Sequence, residues 1–155
     1  MSLIPATPLT IANGMVIVPG KAEPVPGGIR IVGDRIEAVG DIEAQDGDRL
    51  HDARGALIAP GLVDLGVFAI DKPAFHFGGI SRAALMPDRS PPHDHPSRIR
   101  FAAYSGKPDF WVHPLGGATR DLAGKEIAEI GLMKEAGARA IATGRNWIAD
   151  SGVML

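Results

Sequence analysis

Five histidines and eighteen acidic residues, with no cysteine, bound the chemistry open to this 155-residue chain. Disulfides, thiolate metal sites and thiol nucleophiles are excluded together, which leaves imidazole and carboxylate to hold a metal or move a proton. His93 and His95, in "HDH", have the spacing of a metal-binding pair. They lie between Pro91-Pro92 and Pro96, however, where no regular backbone aims two rings at one point, so a solvated loop is the expectation and a metal role the alternative. His76, between Phe75 and Phe77, reads as packing, with the mouth of a pocket as its alternative. His113 reads as a core or rim histidine, and His51 as remote from any site. Asp64 is either a pocket residue or a buried acid hydrogen-bonded to strand-end amides. Trp111 and Trp147 read as core or interface aromatics, since no basic groove accompanies them. The glycine pairs at 78–79 and 116–117 lack phosphate-loop spacing.

The elements that must position these residues fall into two series. Residues 1–59 read as a small β layer. "LTIANGMVIVPG" places Asn13-Gly14, and "GIRIVGDRIEAVG" places Gly33-Asp34, between β-prone runs, and each dipeptide suits a two-residue hairpin. Ile29 and Ile31 share one strand face, with Ile36 and Ala38 opposite them. Pro24, Pro26, Gly27 and Gly28 read as a loop, followed after the second hairpin by the acidic loop "DIEAQDGDRL". Residues 60–155 read as β/α units. "GLVDLGVF", "GGISRAALMP", "DFWVHPLGGAT" and "ARAIATG" are compact apolar runs suited to a buried parallel sheet. The spacing of Ile127, Ile130, Met133 and Lys134 predicts a helix within residues 121–138, stopped by Gly137. A second helix is predicted from Ser97 to Tyr104, capped by Ser97. Between Phe68 and Ile80 there is room only for a loop or a single turn, because a helical crossover takes at least about 10–12 residues.

Strand alternating with helix predicts an α/β fold of parallel type. Four such units fall short of a closed barrel, which takes about 250 residues, so the chain is expected to be the N-terminal portion of something longer. A net charge of -2 with scattered basic residues argues against nucleic acid. No run is apolar enough to span a bilayer and residues 1–12 lack a signal-peptide pattern, so a cytoplasmic location is expected.

Three stretches carry a family resemblance. "ALIAPGLVDLGVF" resembles the "vlPGlIDlHvH" segment of dihydroorotases, cyclic amidohydrolases of the amidohydrolase superfamily. "GGISRAALMPDRSPP" resembles their "GGfTtvvdMPNTnPp", and "GKEIAEIGLMKEAGA" is similar to the long run that sets them apart from most barrel enzymes. The resemblance implies the first four β/α units of a (β/α)8 barrel preceded by strands of a small β-sandwich. It also implies zinc that activates water against a ring amide, interconverting dihydroorotate and N-carbamoyl aspartate.

Carried over by position, the ligands the resemblance implies are replaced. The H-x-H pair falls on Gly66 and Phe68, the substrate-binding arginine on Ile70, the asparagine of M-P-N-T on Asp88, and an acidic segment on Thr143 and Gly144. Asp88 would be the remaining substrate-facing residue, and it would repel a dianion. Two readings follow. In the first, the protein binds no metal, is catalytically impaired, and serves as an oligomeric structural partner of aspartate transcarbamoylase, a role the family offers. In the second, it is a zinc-dependent cyclic amidohydrolase with displaced ligands drawn from His76, His93 and His95.

Overall fold

The computed structural model describes residues 7–154, which divide between Pro60 and Gly61 into two compact units. The predicted two-residue turn at Gly33-Asp34 is present, joining β2 (Val25–Val32) to β3 (Arg35–Gly40), with Gly33 at φ 62°. The other predicted turn is not. Asn13-Gly14 lies inside a continuous strand, β1 (Leu9–Val16), as a bulge between Ile11 and Gly14, with Asn13 at φ 56°. The reason is tertiary. β1 is the central strand, antiparallel to β2 on one side and parallel to β4 (Arg49–Asp52) and β5 (Leu57–Ile58) on the other, so pairing on both sides holds the chain straight.

Pro26, Gly27 and Gly28, expected in a loop, belong to β2. The bare glycine faces explain this: a Cβ on Gly28 would stand 2.2 Å from the Ile11 carbonyl oxygen, and one on Gly27 equally close to that of Gly40. A second bulge, between Arg30 and Ile31, shifts the hairpin register, so Ile36 faces Ile31 as predicted while Val39, not Ala38, faces Ile29. The opposite face of β2 carries a buried Arg30. Its Nε and Nη2 each donate to Asp48 at 2.8 Å, its Nη1 donates to Glu37, and Thr10 Oγ1 donates to Asp48 at 2.6 Å. The acidic loop thus returns a carboxylate to the buried arginine.

The second unit is a parallel sheet in the order β6 (Leu62–Val67), β7 (Ile80–Leu85), β8 (Trp111–Gly117), β9 (Ala140–Ala142). Its order follows the chain, as in the first four units of a (β/α)8 barrel. Between β6 and β7 the short connection forms a six-residue helix, α1 (Lys72–Phe77). The Asp71 carboxylate accepts from the Ala74 amide at 3.1 Å, and Gly78-Gly79 end it. Helix α2 (Pro96–Tyr104) has His95, not Ser97, as its cap. Alternation along the strands sends Ala83, Leu85 and Val112 toward these helices, where they pack with Phe75, Ala102 and Phe110; Val67 and Ile70 adjoin the cluster. The rings of Phe75 and Phe110 lie 5.0 Å apart.

The long predicted helix within residues 121–138 shrinks to α3 (Ile130–Glu135). Upstream, Asp121 and Leu122 take φ of 51° and 55°, Gly124 takes 71°, and Thr119 pairs antiparallel with Ile127. Side chains reward the fold-back: Asp94 Oδ2 accepts from the Asp121 amide at 2.6 Å, and Thr119 Oγ1 from the Gly124 amide at 2.9 Å. Of the residues with helical spacing, Met133 is fully buried, against Ile99 and Ala128. Gly137 stops the helix as predicted, at φ 111°. A last turn, α4, covers Ser151–Met154. Among the described residues no helix is long and apolar enough to cross a membrane.

Candidate functional site

In a β/α unit the residues available for chemistry are those at the carboxyl ends of the strands, because the loops there are free to vary while the sheet holds them in place. In the second unit these ends bring together Phe68 after β6, Asp88 and Arg89 after β7, His93 in the following loop, and Gly144 and Arg145 after β9.

Phe68 is 43% exposed and is contacted by two guanidinium groups. The Arg145 guanidinium carbon stands 4.3 Å from its ring centroid, a cation–π stack, and Arg89 Nη1 donates to its carbonyl oxygen at 3.2 Å. Asp88 Oδ1 accepts from the Arg145 amide at 2.9 Å. That bond needs residue 144 to be glycine. Gly144 is at φ 72°, and a Cβ there would stand 3.1 Å from Asp88 Oδ1 and 3.0 Å from Leu122 Cδ1. Residues 68, 88 and 144 are linked through Arg145, whose guanidinium lies over the Phe68 ring and whose amide, next to Gly144, donates to Asp88.

Gly66 is different. Nothing lies within 4 Å of the space a Cβ would occupy, and its amide donates to Asp64 Oδ1 at 3.0 Å. Asp64 thus accepts from the strand-end amide, as one of its two expected readings had it, but it is only partly buried and not the buried acid of that reading. Ile70 packs on the helix-side cluster.

The histidines disperse. His93 is buried, contrary to the solvated loop expected: its amide donates to Pro87 O at 3.0 Å and its carbonyl accepts from Gly117 at 2.8 Å, which straps the loop across β7 and β8. Burial, then Arg89 and Arg98, hold its imidazole below the ordinary histidine range. His93 Nδ1 and Asp88 Oδ2 are buried and without a hydrogen-bond partner among the described residues. His95 Nδ1 is engaged by Ser97, 2.8 Å from Oγ and 3.3 Å from the amide. His76, expected to pack, is exposed on α1, edge-on to an exposed Phe77. His51 is exposed on β4. His113 Nε2 lies 3.4 Å from Arg82 Nη1; burial and the cations Arg82, Arg139 and Lys107 lower its pKa. Trp111 is half exposed, flanked by Arg82 and Lys107, and Trp147 is 87% exposed, so neither is a core aromatic. No cluster of three or more His, Asp or Glu side chains able to hold a metal occurs among the described residues.

Arg89 and Arg145, the residues that organise the site, are not among those that sequence reasoning selected. Each directly follows a residue that the resemblance singled out, Asp88 or Gly144, and that adjacency is the signal that could have found them.

No family model matches the chain. Individual proteins do. It is 31% identical to the dihydroorotase of Syntrophotalea carbinolica and 32% identical to that of Pelotomaculum thermopropionicum, over 94% of its own length in each case. It spans only 38% and 37% of those relatives, less than two fifths of their length. Among solved structures, the L-hydantoinase (dihydropyrimidinase) of Arthrobacter aurescens matches 96% of the chain and 37% of its own, with a TM-score of 0.69 at 18% identity, a likeness of fold. By sequence the chain belongs to the dihydroorotase family, as an N-terminal portion of such proteins, and its fold is of the kind seen in L-hydantoinase.

Proposed function

We propose that this chain is part of a dihydroorotase-like protein whose metal site has been abandoned and whose role is structural, as an oligomeric cytoplasmic partner of aspartate transcarbamoylase in pyrimidine biosynthesis. The observation that carries the reading is the mutual fit of Phe68, Asp88, Gly144 and Arg145. Zinc needs three or four nitrogen, oxygen or sulfur donors on one point. The strand ends do not fit it: Gly66 has no donor atom, the face of Phe68 is covered by a guanidinium, and one Asp88 oxygen is committed to a backbone amide. The two unpartnered atoms, Asp88 Oδ2 and His93 Nδ1, fall short of a ligand set.

The deciding measurement is metal content by plasma mass spectrometry on the longest native form, purified without chelator or added zinc. Less than about 0.1 zinc per chain, with co-purification of the transcarbamoylase from the native host, is the expected result, since a resident site would retain its ion. One observation favours the alternative of an active enzyme with displaced ligands: His93 is buried and its Nδ1 has no hydrogen-bond partner among the described residues. That reading requires stoichiometric zinc that is lost in His93→Ala.

A further inference from the structure

Helix α2 is apolar on two sides. Ile99 is buried against Met133 of α3, and Ala102 in the cluster with Phe75 of α1, while Phe101 and Tyr104 stand 81% and 70% exposed on the outward side. With Ser97 and Arg100 these two make a stripe spaced i, i+3, i+4, i+7, and with Ser105 they line a shallow depression of about 470 Å³. A peripheral helix ordinarily turns a polar face outward. Completing a barrel would not cover this one: further strands add at the free edges, β6 and β9, whereas α2 already has α1 and α3 as neighbours, and barrel helices form the outermost layer. The stripe has the make-up of an interface core, aromatic residues and arginine without Lys, Asp or Glu.

Area, backbone and charge together define the occupant. Two aromatic side chains bury about 150–250 Å² each, well short of the roughly 800 Å² per partner in a standard interface between folded proteins, so the stripe suits one short segment better than a second copy of the chain. The backbone groups of α2 are bonded within the helix, so an extended segment finds no edge to pair with, whereas another helix can pack its side chains into the stripe. Residues 95–108 contain Arg98, Arg100 and Lys107 and no Asp or Glu, in a chain of net charge -2. Arg98 is paired with Asp94, which leaves Arg100 as the charge on the stripe itself, and an acidic partner complements it. We infer that the outward face of α2 docks a short amphipathic α-helix of another protein, with its apolar side on Phe101 and Tyr104 and an acidic side chain on Arg100. The inference is independent of whether the strand ends hold a metal.

The test begins with Tyr104→p-azidophenylalanine, which keeps the ring, in the longest native form. It is photo-cross-linked in the native host, and the attached segment is identified by mass spectrometry. That segment, made as a synthetic peptide, is then titrated against the purified protein by fluorescence anisotropy. The expected segment belongs to another protein, has apolar residues at helical spacing and carries at least one Asp or Glu. Phe101→Ser and Arg100→Glu, both at exposed positions that leave the core untouched, should each weaken peptide binding at least about tenfold, as loss of a hot-spot side chain implies. A peptide with Lys in place of its acidic residue should recover binding to the Arg100→Glu protein. The inference is overturned by the absence of a cross-link, by cross-links confined to this chain or its own copies, by a segment without an acidic residue, or by peptide binding that neither substitution weakens.

Discussion

Asp48 is the most strongly perturbed carboxylate in the first unit. The Arg30 guanidinium and then the Thr10 hydroxyl hold it well below the usual carboxylate range, and Asp48 raises Arg30 in return. Because the folded value lies below the unfolded one, the contribution to stability is complete above the unfolded pKa of about 3.9 and is lost as pH falls toward the folded value. Urea unfolding at a series of pH values should therefore show a gap between the wild type and Asp48→Asn that is constant from pH 7 to 5 and narrows by pH 3. At the strand ends, Gly144→Asp restores the acidic residue of the family pattern at a left-handed position facing another carboxylate. It should cost about 1–2 kcal/mol from backbone strain alone, measurable by the same method. The paired change Gly66→His with Phe68→His meets open space at residue 66 but leaves residues 70, 88 and 144 unaltered. No dihydroorotase turnover should appear in an assay of N-carbamoyl aspartate formation.

Elements that local chemistry alone decides could be read directly. The Gly33 turn, the Gly137 stop and the four parallel strands needed only turn residues, a left-handed glycine and apolar runs. Elements decided by partners distant in sequence could not. Asn13-Gly14 is as good a turn signal as Gly33-Asp34, yet β1 is paired on both edges and Asn13 Nδ2 donates to Asp52 at 3.1 Å, so the turn becomes a bulge. The helical spacing after Thr119 lost to Asp94, a residue some twenty-seven positions upstream that caps the Asp121 amide. Similarly, the family resemblance marked positions 66, 68, 88 and 144, but which residues closed over the site depended on Arg145 reaching back to Phe68 across the sheet. For α1, whose six residues cannot support themselves, the contacts made by its ends and core side decide. Asp71→Ala should cost about 1 kcal/mol through the lost cap and Phe75→Ala about 3–5 kcal/mol through the cavity beside Phe110, both readable from urea midpoints.

For the molecule as a whole, the second unit ends in two strands that pair on one side only, β6 and β9. The β6 edge is apolar and exposed, with Leu62, Val63 and Leu65 at 60%, 54% and 79%, the kind of edge that natural proteins cover. Residues 1–155 alone should therefore self-associate in light scattering coupled to size exclusion at tens of micromolar, and Leu65→Lys should shift the population toward monomer.

The fit between Asp88 and Gly144 also bears on how this sequence can change. With Asp88 in place, the left-handed glycine at 144 has no acceptable acidic replacement, while an asparagine at 88 removes the opposing charge first. Substitutions toward the family pattern are thus conditional on order, residue 88 before residue 144, and a library that samples position 144 alone would find that step unfavourable while Asp88 remains.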